Sequence, residues 1–218
     1  MLSIYLLRWY NIIMNLYKPE VCNLNFESIP FKVLETNIHA AVVDINPTEY
    51  KVCEDFGEIM WAREKGGIYG RGMINNSKDP CKAERSGCLG EMAVAKILDL
   101  SMNITYKKGG DKTDFIINGL PTDVKTATTS HGALLIVATK WGNQNIRLKL
   151  NNDIYIAAYV VNEDRINKFA KIAVMGFFEK ALINESYFKK ARMPGMEFWN
   201  WDIPYTDLNN IESLVAKV

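Results

Sequence analysis

Apolar and polar positions alternate most regularly between Asp111 and Thr126, in the stretch DKTDFIINGLPTDVKT. The pattern is that of two short strands joined by Asn118-Gly119. An Asn-Gly pair between apolar runs is a strong hairpin signal, because a two-residue type I′ turn needs φ > 0 at both positions. That turn sets Ile117 opposite Leu120, Ile116 opposite Pro121, Phe115 opposite Thr122 and Asp114 opposite Asp123. Side chains alternate along a strand. One face should therefore carry Asp114, Ile116, Pro121, Asp123 and Lys125. The other, with Phe115, Ile117, Leu120 and Val124, should be buried.

Other apolar runs place further elements. Residues 31–34 and 40–45 are β-rich, and Asn46-Pro47 closes them. A helix is expected over 48–65, capped by Thr48, with Val52, Phe56, Ile59 and Met60 at helical spacing and Gly66-Gly67 as its stop. Residues 68–80 are loop, in which Tyr69 and Arg71 could touch a phosphate backbone. The run SGCLGEMAVAKILDL is apolar nearly all round, the mark of a helix buried on most sides, with Lys96 and Asp99 on its solvent face. Strands are expected at 103–107, 133–138, 154–161 and 171–177, and the doubly apolar IYIAAYVV suits a central one. Residues 178–190 read as a helix starting near Glu179. The aromatic tail PGMEFWNWDIPYTDL reads as loop, with Trp199 and Trp201 packing it onto the core or stacking bases. The break most like a boundary is Asp79-Pro80. Residues 1–79 are thus expected as an N-terminal α+β extension packed on a core of 80–218, the whole forming one compact domain.

The first 16 residues are apolar and aromatic, but Arg8 and Asn11 interrupt them, and they are too short for a membrane span. No small-residue cleavage site marks a signal peptide. The segment is either a helix packed on the domain or an upstream extension with Met14 as the working start.

Composition narrows the function classes. Of 218 residues 48% are apolar, so a substantial core can form. Lys plus Arg number 26 against 25 Asp plus Glu, so nucleic acid would have to be attracted by a local patch. Four cysteines without a CxxC pair suit reduced core thiols in a cytoplasmic protein, and a zinc set of Cys81, Cys88 and His131 is the weaker alternative. Neither His39 nor His131 accompanies a GxSxG motif, and there is no P-loop or GxGxxG.

Two features give the hairpin acids a use. Carboxylates directly opposite on a hairpin lie roughly 4.5–5.5 Å apart at Cβ and repel unless a cation joins them. A hard divalent cation wants several such oxygens. Secondly, Glu91 lies about 140° round the helix from Lys96, at 100° per residue, on the inner stripe with Cys88, Val94, Ala95 and Leu98. A buried carboxylate needs a partner. A cation shared with the hairpin supplies one, and Arg85 or a backbone group is the alternative. Gly87 and Gly90 weaken the helix unless another backbone or a ligand approaches closely there.

The order of these residues resembles the PD-(D/E)XK, or restriction-endonuclease-like, nuclease superfamily. Glu91 in GCLGEMA, Asp114 in KTDFII and Asp123-Val124-Lys125 match its layout of helical Glu, strand Asp and Asp-x-Lys on the following strand. The resemblance covers about residues 85–180. Thr113 stands where the family has its proline, Asp123 replaces the commoner Glu, and no QxxxY helix of the exonuclease branch is present. The resemblance implies an α/β fold with a mixed central sheet flanked by helices. It also implies Mg²⁺-dependent hydrolysis of phosphodiester bonds, most simply in DNA. Asp114, Asp123 and Glu91 would hold Mg²⁺, or Mn²⁺ in its place, and Lys125 would position water or stabilise developing charge.

Lys107, Lys108 and Lys112 beside the hairpin, with Lys140, Arg147 and Lys149 later, could form a basic rim for nucleic acid. A homodimer is compatible with this reading, and no membrane association is expected. The rival from another class is a catalytically inactive nucleic-acid-binding or assembly protein on the same fold.

Overall fold

The computed structural model describes residues 16–31, 36–64, 79, 81–104, 113–129, 132–140, 143–190 and 199–215. The chain builds a mixed six-stranded sheet with helices on one face and a small second sheet on the other. The main sheet is made of β1 (Asn25–Phe31), β2 (Thr36–Ile45), β3 (Phe115–Ile117), β4 (Leu120–Ala127), β8 (Ile154–Asp164) and β9 (Phe169–Glu179), in the order β1-β2-β9-β8-β4-β3. All neighbours are antiparallel except β4 and β8, which run parallel. A parallel pair requires a crossover. Here the crossover contains β5 (Ala133–Val137), β6 (Thr139–Lys140) and β7 (Asn143–Arg147).

Residues before 80 supply part of this sheet. β2 pairs with β9 along five positions, from Ala41↔Val174 to Ile45↔Ala170, so the expected N-terminal extension continues the core sheet. Helix α1 (Pro47–Glu64) begins one residue before the expected Thr48 cap. Asn46 caps it: the Asn46 side-chain oxygen accepts from Glu49 N–H, and Glu49 accepts from Asn46 N–H, both at 3.0 Å. This reciprocal box satisfies two otherwise orphaned donors, and Pro47 takes the first helical position, where its missing N–H costs nothing.

Helix α2 (Lys82–Leu98) packs on α1 and across β4, β9 and β2. Leu89, Met92 and Val94 meet Val43, Ile117, Val124, Ile156 and Phe177 in the core on that side. Lys96 does not mark a solvent face. It is buried with its ammonium 2.7 Å from both oxygens of Glu49, which is itself buried. Nor does Arg85 serve Glu91: its guanidinium binds Asp79 and Glu163, and Tyr50 donates to the same Glu163 oxygen. A short helix, α3 (Ile211–Val215), completes the layer.

On the opposite face β5 pairs with β11 (Trp199–Pro204), which pairs with β10 (Phe188–Lys190). Leu134, Ile136, Ile203 and Tyr205 fill a second core with Phe31, Val42, Tyr155 and Met175. The aromatic tail therefore forms a strand at Trp199–Pro204, in which Asn200, Asp202 and Ile203 find buried places beside β5, and then a 3₁₀ turn at Tyr205–Asp207. The expected helix over 178–190 is absent. Phe178 and Glu179 finish β9, and two 3₁₀ turns follow at Lys180–Leu182 and Glu185–Tyr187. Asn184 explains the second: its side chain accepts from Ser186 N–H, a local bond that competes with helix.

The expected strand at 103–107 lies partly outside the described residues, and Asn103 and Ile104 belong to no strand. The segment 1–15, Tyr69 and Arg71 also lie outside them. No helix among the described residues is long and apolar enough to cross a membrane.

Candidate active site

Asn118 and Gly119 have φ of 53° and 79°, the left-handed pair that a type I′ turn requires. The register follows as the turn dictates, Ile117↔Leu120, Ile116↔Pro121 and Phe115↔Thr122. Phe115, Ile117 and Val124 are buried against α2. Leu120, expected with them, is 43% exposed, because the turn carries it past the end of the helix layer. Thr122 takes the buried place instead.

Asp114 stands one residue before β3. Its N–H donates to Thr122 O at 2.9 Å, and its carboxylate accepts from Val124 N–H at 2.7 Å. The second bond draws the side chain across the hairpin onto β4, where it feels the charge of Asp123. Asp123 is buried. Lys125, two residues on, binds both Asp123 oxygens at 2.8 and 2.7 Å.

Glu91 arrives from the helix layer. Gly90 makes this approach feasible: a Cβ there would lie 1.9 Å from Thr126 Oγ1 and 3.2 Å from Ala158 Cβ. The helix thus comes close enough to β4 for Glu91 to feel the hairpin acids. Gly87 has open space, so the close approach expected there does not occur.

The electrostatics tie these side chains together. Burial pushes the Asp114 carboxyl up to about 7, and the adjacent Asp123 pushes the same way, against the Val124 N–H and Lys125. Burial holds Glu91 well above the ordinary carboxylate range, with Asp114, Cys88 and Asp123 adding to the effect and Lys125 opposing it. Two desolvated acids made reluctant to ionise by a third describe a centre short of positive charge.

The donor set suits a hard cation, since Asp114 and Asp123 offer oxygen only. Yet among the described residues no three His, Cys, Asp or Glu side chains are gathered closely enough to hold a metal ion. The three expected ligands are neighbours in charge and do not form a closed cage. Mg²⁺ is often held by one or two carboxylates, with water and substrate oxygens completing its shell.

Two residues of this site gave no sequence signal. Tyr155 pairs with Asp123 across β4 and β8, and its hydroxyl is pushed up to about 12 by burial, with the Asp123 charge contributing. Asn152 is buried and accepts from Thr113 Oγ1 at 2.8 Å, so it buttresses the residue before Asp114. Both come from the far end of the parallel crossover, and only the β4–β8 register reveals them.

The basic rim is partly placed. Lys107, Lys108 and Lys112 lie outside the described residues. Lys140 and Lys149 are exposed. Arg147 is committed elsewhere: its guanidinium lies over the Phe188 ring, 3.4 Å from the centroid, and pairs with Glu185 at 3.0 Å. The described cysteines are all free thiols. His131, the third member of the zinc alternative, lies outside the described residues.

No family model matches the chain, no curated protein matches it, and no solved structure matches it.

Proposed function

We propose that this protein is a metal-dependent nuclease of the PD-(D/E)XK kind, hydrolysing phosphodiester bonds, with DNA as the first substrate to test. One observation carries the reading: the Asp114 carboxylate is held on Val124 N–H of the strand that carries Asp123, Lys125 is bound to Asp123, and Glu91 lies within reach of their charge. The succession α2, β3, β4 and then a parallel β8 is compatible with a restriction-endonuclease-like core.

Mg²⁺, or Mn²⁺ in its place, would neutralise charge on the scissile phosphate and lower the pKa of a water molecule. Asp114 and Asp123 would hold it, Asp114 being oriented by Val124 N–H. Glu91 would ionise as the cation arrives and orient water at the margin of the site. Lys125, 42% exposed, can leave Asp123 when a cation replaces it and donate to a phosphate oxygen. Tyr155 and Asn152 keep the floor of the site in place.

The test is nicking of plasmid DNA in Mg²⁺ or Mn²⁺, abolished by EDTA and by Asp114→Asn. A panel of single-stranded, branched and RNA substrates extends it. A second reading has its own support. Lys125 already neutralises Asp123, and the described acids form no three-ligand group, as suits a catalytically silent nucleic-acid binder. Nucleic-acid binding without cleavage of any substrate on the panel, and without a metal-induced rise in melting temperature, selects this reading.

A further inference from the structure

Asp114 comes to the acidic centre from outside the regular elements. It precedes β3 by one residue, whereas Asp123 and Lys125 lie within β4 and Glu91 within α2. Its place depends on bonds that the strand ladder does not supply. Two are its own: its N–H donates to Thr122 O at 2.9 Å, and its carboxylate accepts from Val124 N–H at 2.7 Å. A further bond belongs to the residue before it. The Thr113 hydroxyl donates to Asn152 Oδ1 at 2.8 Å.

Asn152 is a firm anchor. It lies 39 residues further along the chain and its side chain is buried, 4% exposed. The next residue, Asp153, donates its N–H to Pro121 O at 2.8 Å and accepts from Lys180 N–H at 2.9 Å. Those two bonds tie it to β4 on one side and to the residue after β9 on the other. β8 then starts at Ile154, opposite Thr122 of β4 and Glu179 of β9. Asn152 is thus held by the sheet, and through Thr113 it holds the chain that carries Asp114. The tie is also neutral. An amide has oxygen to accept with and no charge to titrate, so it adds no further negative charge to a centre already short of positive charge.

We propose that Asn152 is a positioning residue of the acidic centre: through the Thr113 hydroxyl it keeps the Asp114 carboxylate on Val124 N–H, beside the strand that carries Asp123, where the two acids can share a cation. The proposal rests on the metal site of the reading above and adds to it a residue from outside the acidic motif. Groups that orient metal ligands govern metal affinity by roughly ten- to a hundredfold.

The experiment has one arm without metal and one with it. In EDTA, amide hydrogen exchange is followed for Val124, whose N–H is held by Asp114, and for amides of β9 as the reference for global stability. Thr113→Val removes the hydroxyl and keeps the branched shape. It should speed exchange at Val124 several-fold relative to β9. Thr113→Ser keeps a hydroxyl and should restore most of the protection. Asn152→Ala should also speed Val124, and adding Thr113→Val to it should change little more, because both remove the same bond. In the second arm Mg²⁺ affinity is measured by calorimetry. Thr113→Val should weaken it by about ten- to a hundredfold and Thr113→Ser much less. Val124 exchange that stays in step with β9 in a folded Thr113→Val would overturn the proposal. So would unchanged Mg²⁺ affinity in that variant beside a wild type that binds the metal. If Asn152→Ala does not fold, the two Thr113 variants decide the matter. A wild type that neither binds Mg²⁺ nor cleaves any substrate strikes the nuclease reading, and the exchange arm then decides by itself whether Asn152 positions Asp114.

Discussion

The Lys125 ammonium lies 2.8 and 2.7 Å from the two carboxylate oxygens of Asp123, the place a divalent cation would take. Lys125 and a metal therefore compete for the same acid. In EDTA, Asp123→Asn removes a charge that adds to burial in holding Asp114 up, and gives away an ion pair whose lysine end is 42% exposed and so screened. The variant should melt a few degrees above wild type, from about 1 kcal/mol of relieved repulsion. Wild type should gain RT ln(1 + [L]/Kd) on adding Mg²⁺, roughly 2.7 kcal/mol at a hundredfold excess over Kd, and the variant much less. The order of melting temperatures should invert between EDTA and metal. Differences that stay constant across both conditions would count against a metal site.

The same centre predicts a pH dependence. Asp114 titrates near 7 in the folded chain and near 3.9 when unfolded. Between those values the native state holds the extra proton, so this group's contribution is full below about pH 4 and is lost as pH rises through about 7. Melting temperature in EDTA should fall over that window, and Asp114→Asn should flatten the slope. Metal must displace the proton, so stabilisation by Mg²⁺ should be larger at pH 8 than at pH 6. A wild-type profile that matches Asp114→Asn would remove Asp114 from the centre.

The hairpin and its register were legible because Asn118-Gly119 admits essentially one tight turn and alternation does the rest. Glu91 was legible in part: helical phase put it on the side that feels the hairpin acids, but it is half-buried and not within the core. Lys96 was not, since its partner Glu49 sits on another helix, and phase cannot show that a charge faces a charge. Leu120 was placed on the right strand face, but burial depends on where the covering layer stops. The strand at 199–204 was hidden because β11 pairs with β5, more than fifty residues earlier. Tyr155 was hidden for the same reason: long-range pairing leaves no local trace.

Lys125→Ala separates chemistry from metal binding. Lysine donates and does not ligate. The variant should lose cleavage by orders of magnitude and, freed of the competing ammonium, bind Mg²⁺ at least as tightly as wild type by thermal shift. Unchanged cleavage by the purified variant would remove Lys125 from the mechanism.

Gly90 and Gly87 should respond in opposite senses. A methyl at Gly90 meets Thr126 Oγ1 at 1.9 Å and Ala158 Cβ at 3.2 Å, so Gly90→Ala should destabilise by about 1–3 kcal/mol. Adding Thr126→Ala should recover part of that loss. Gly87→Ala meets nothing and should stabilise by about 0.5–1 kcal/mol through helix propensity. Chemical denaturation of the three variants and wild type checks both signs, and a Gly90→Ala protein as stable as wild type would show that the helix does not need its close approach.

The pairing of β2 with β9 also bears on how the chain assembles. Ala41 finds Val174 across more than a hundred intervening residues, whereas Asp114 and Asp123 are brought together by a two-residue turn. Hairpins close in about 1–10 μs, while long-range strand pairing must first overcome the entropy of a large loop. The acidic hairpin should therefore form and re-form many times before the centre of the sheet closes around it. The pairing of β2 with β9 should settle late, and during that wait their apolar edges are the surfaces most open to the wrong partner.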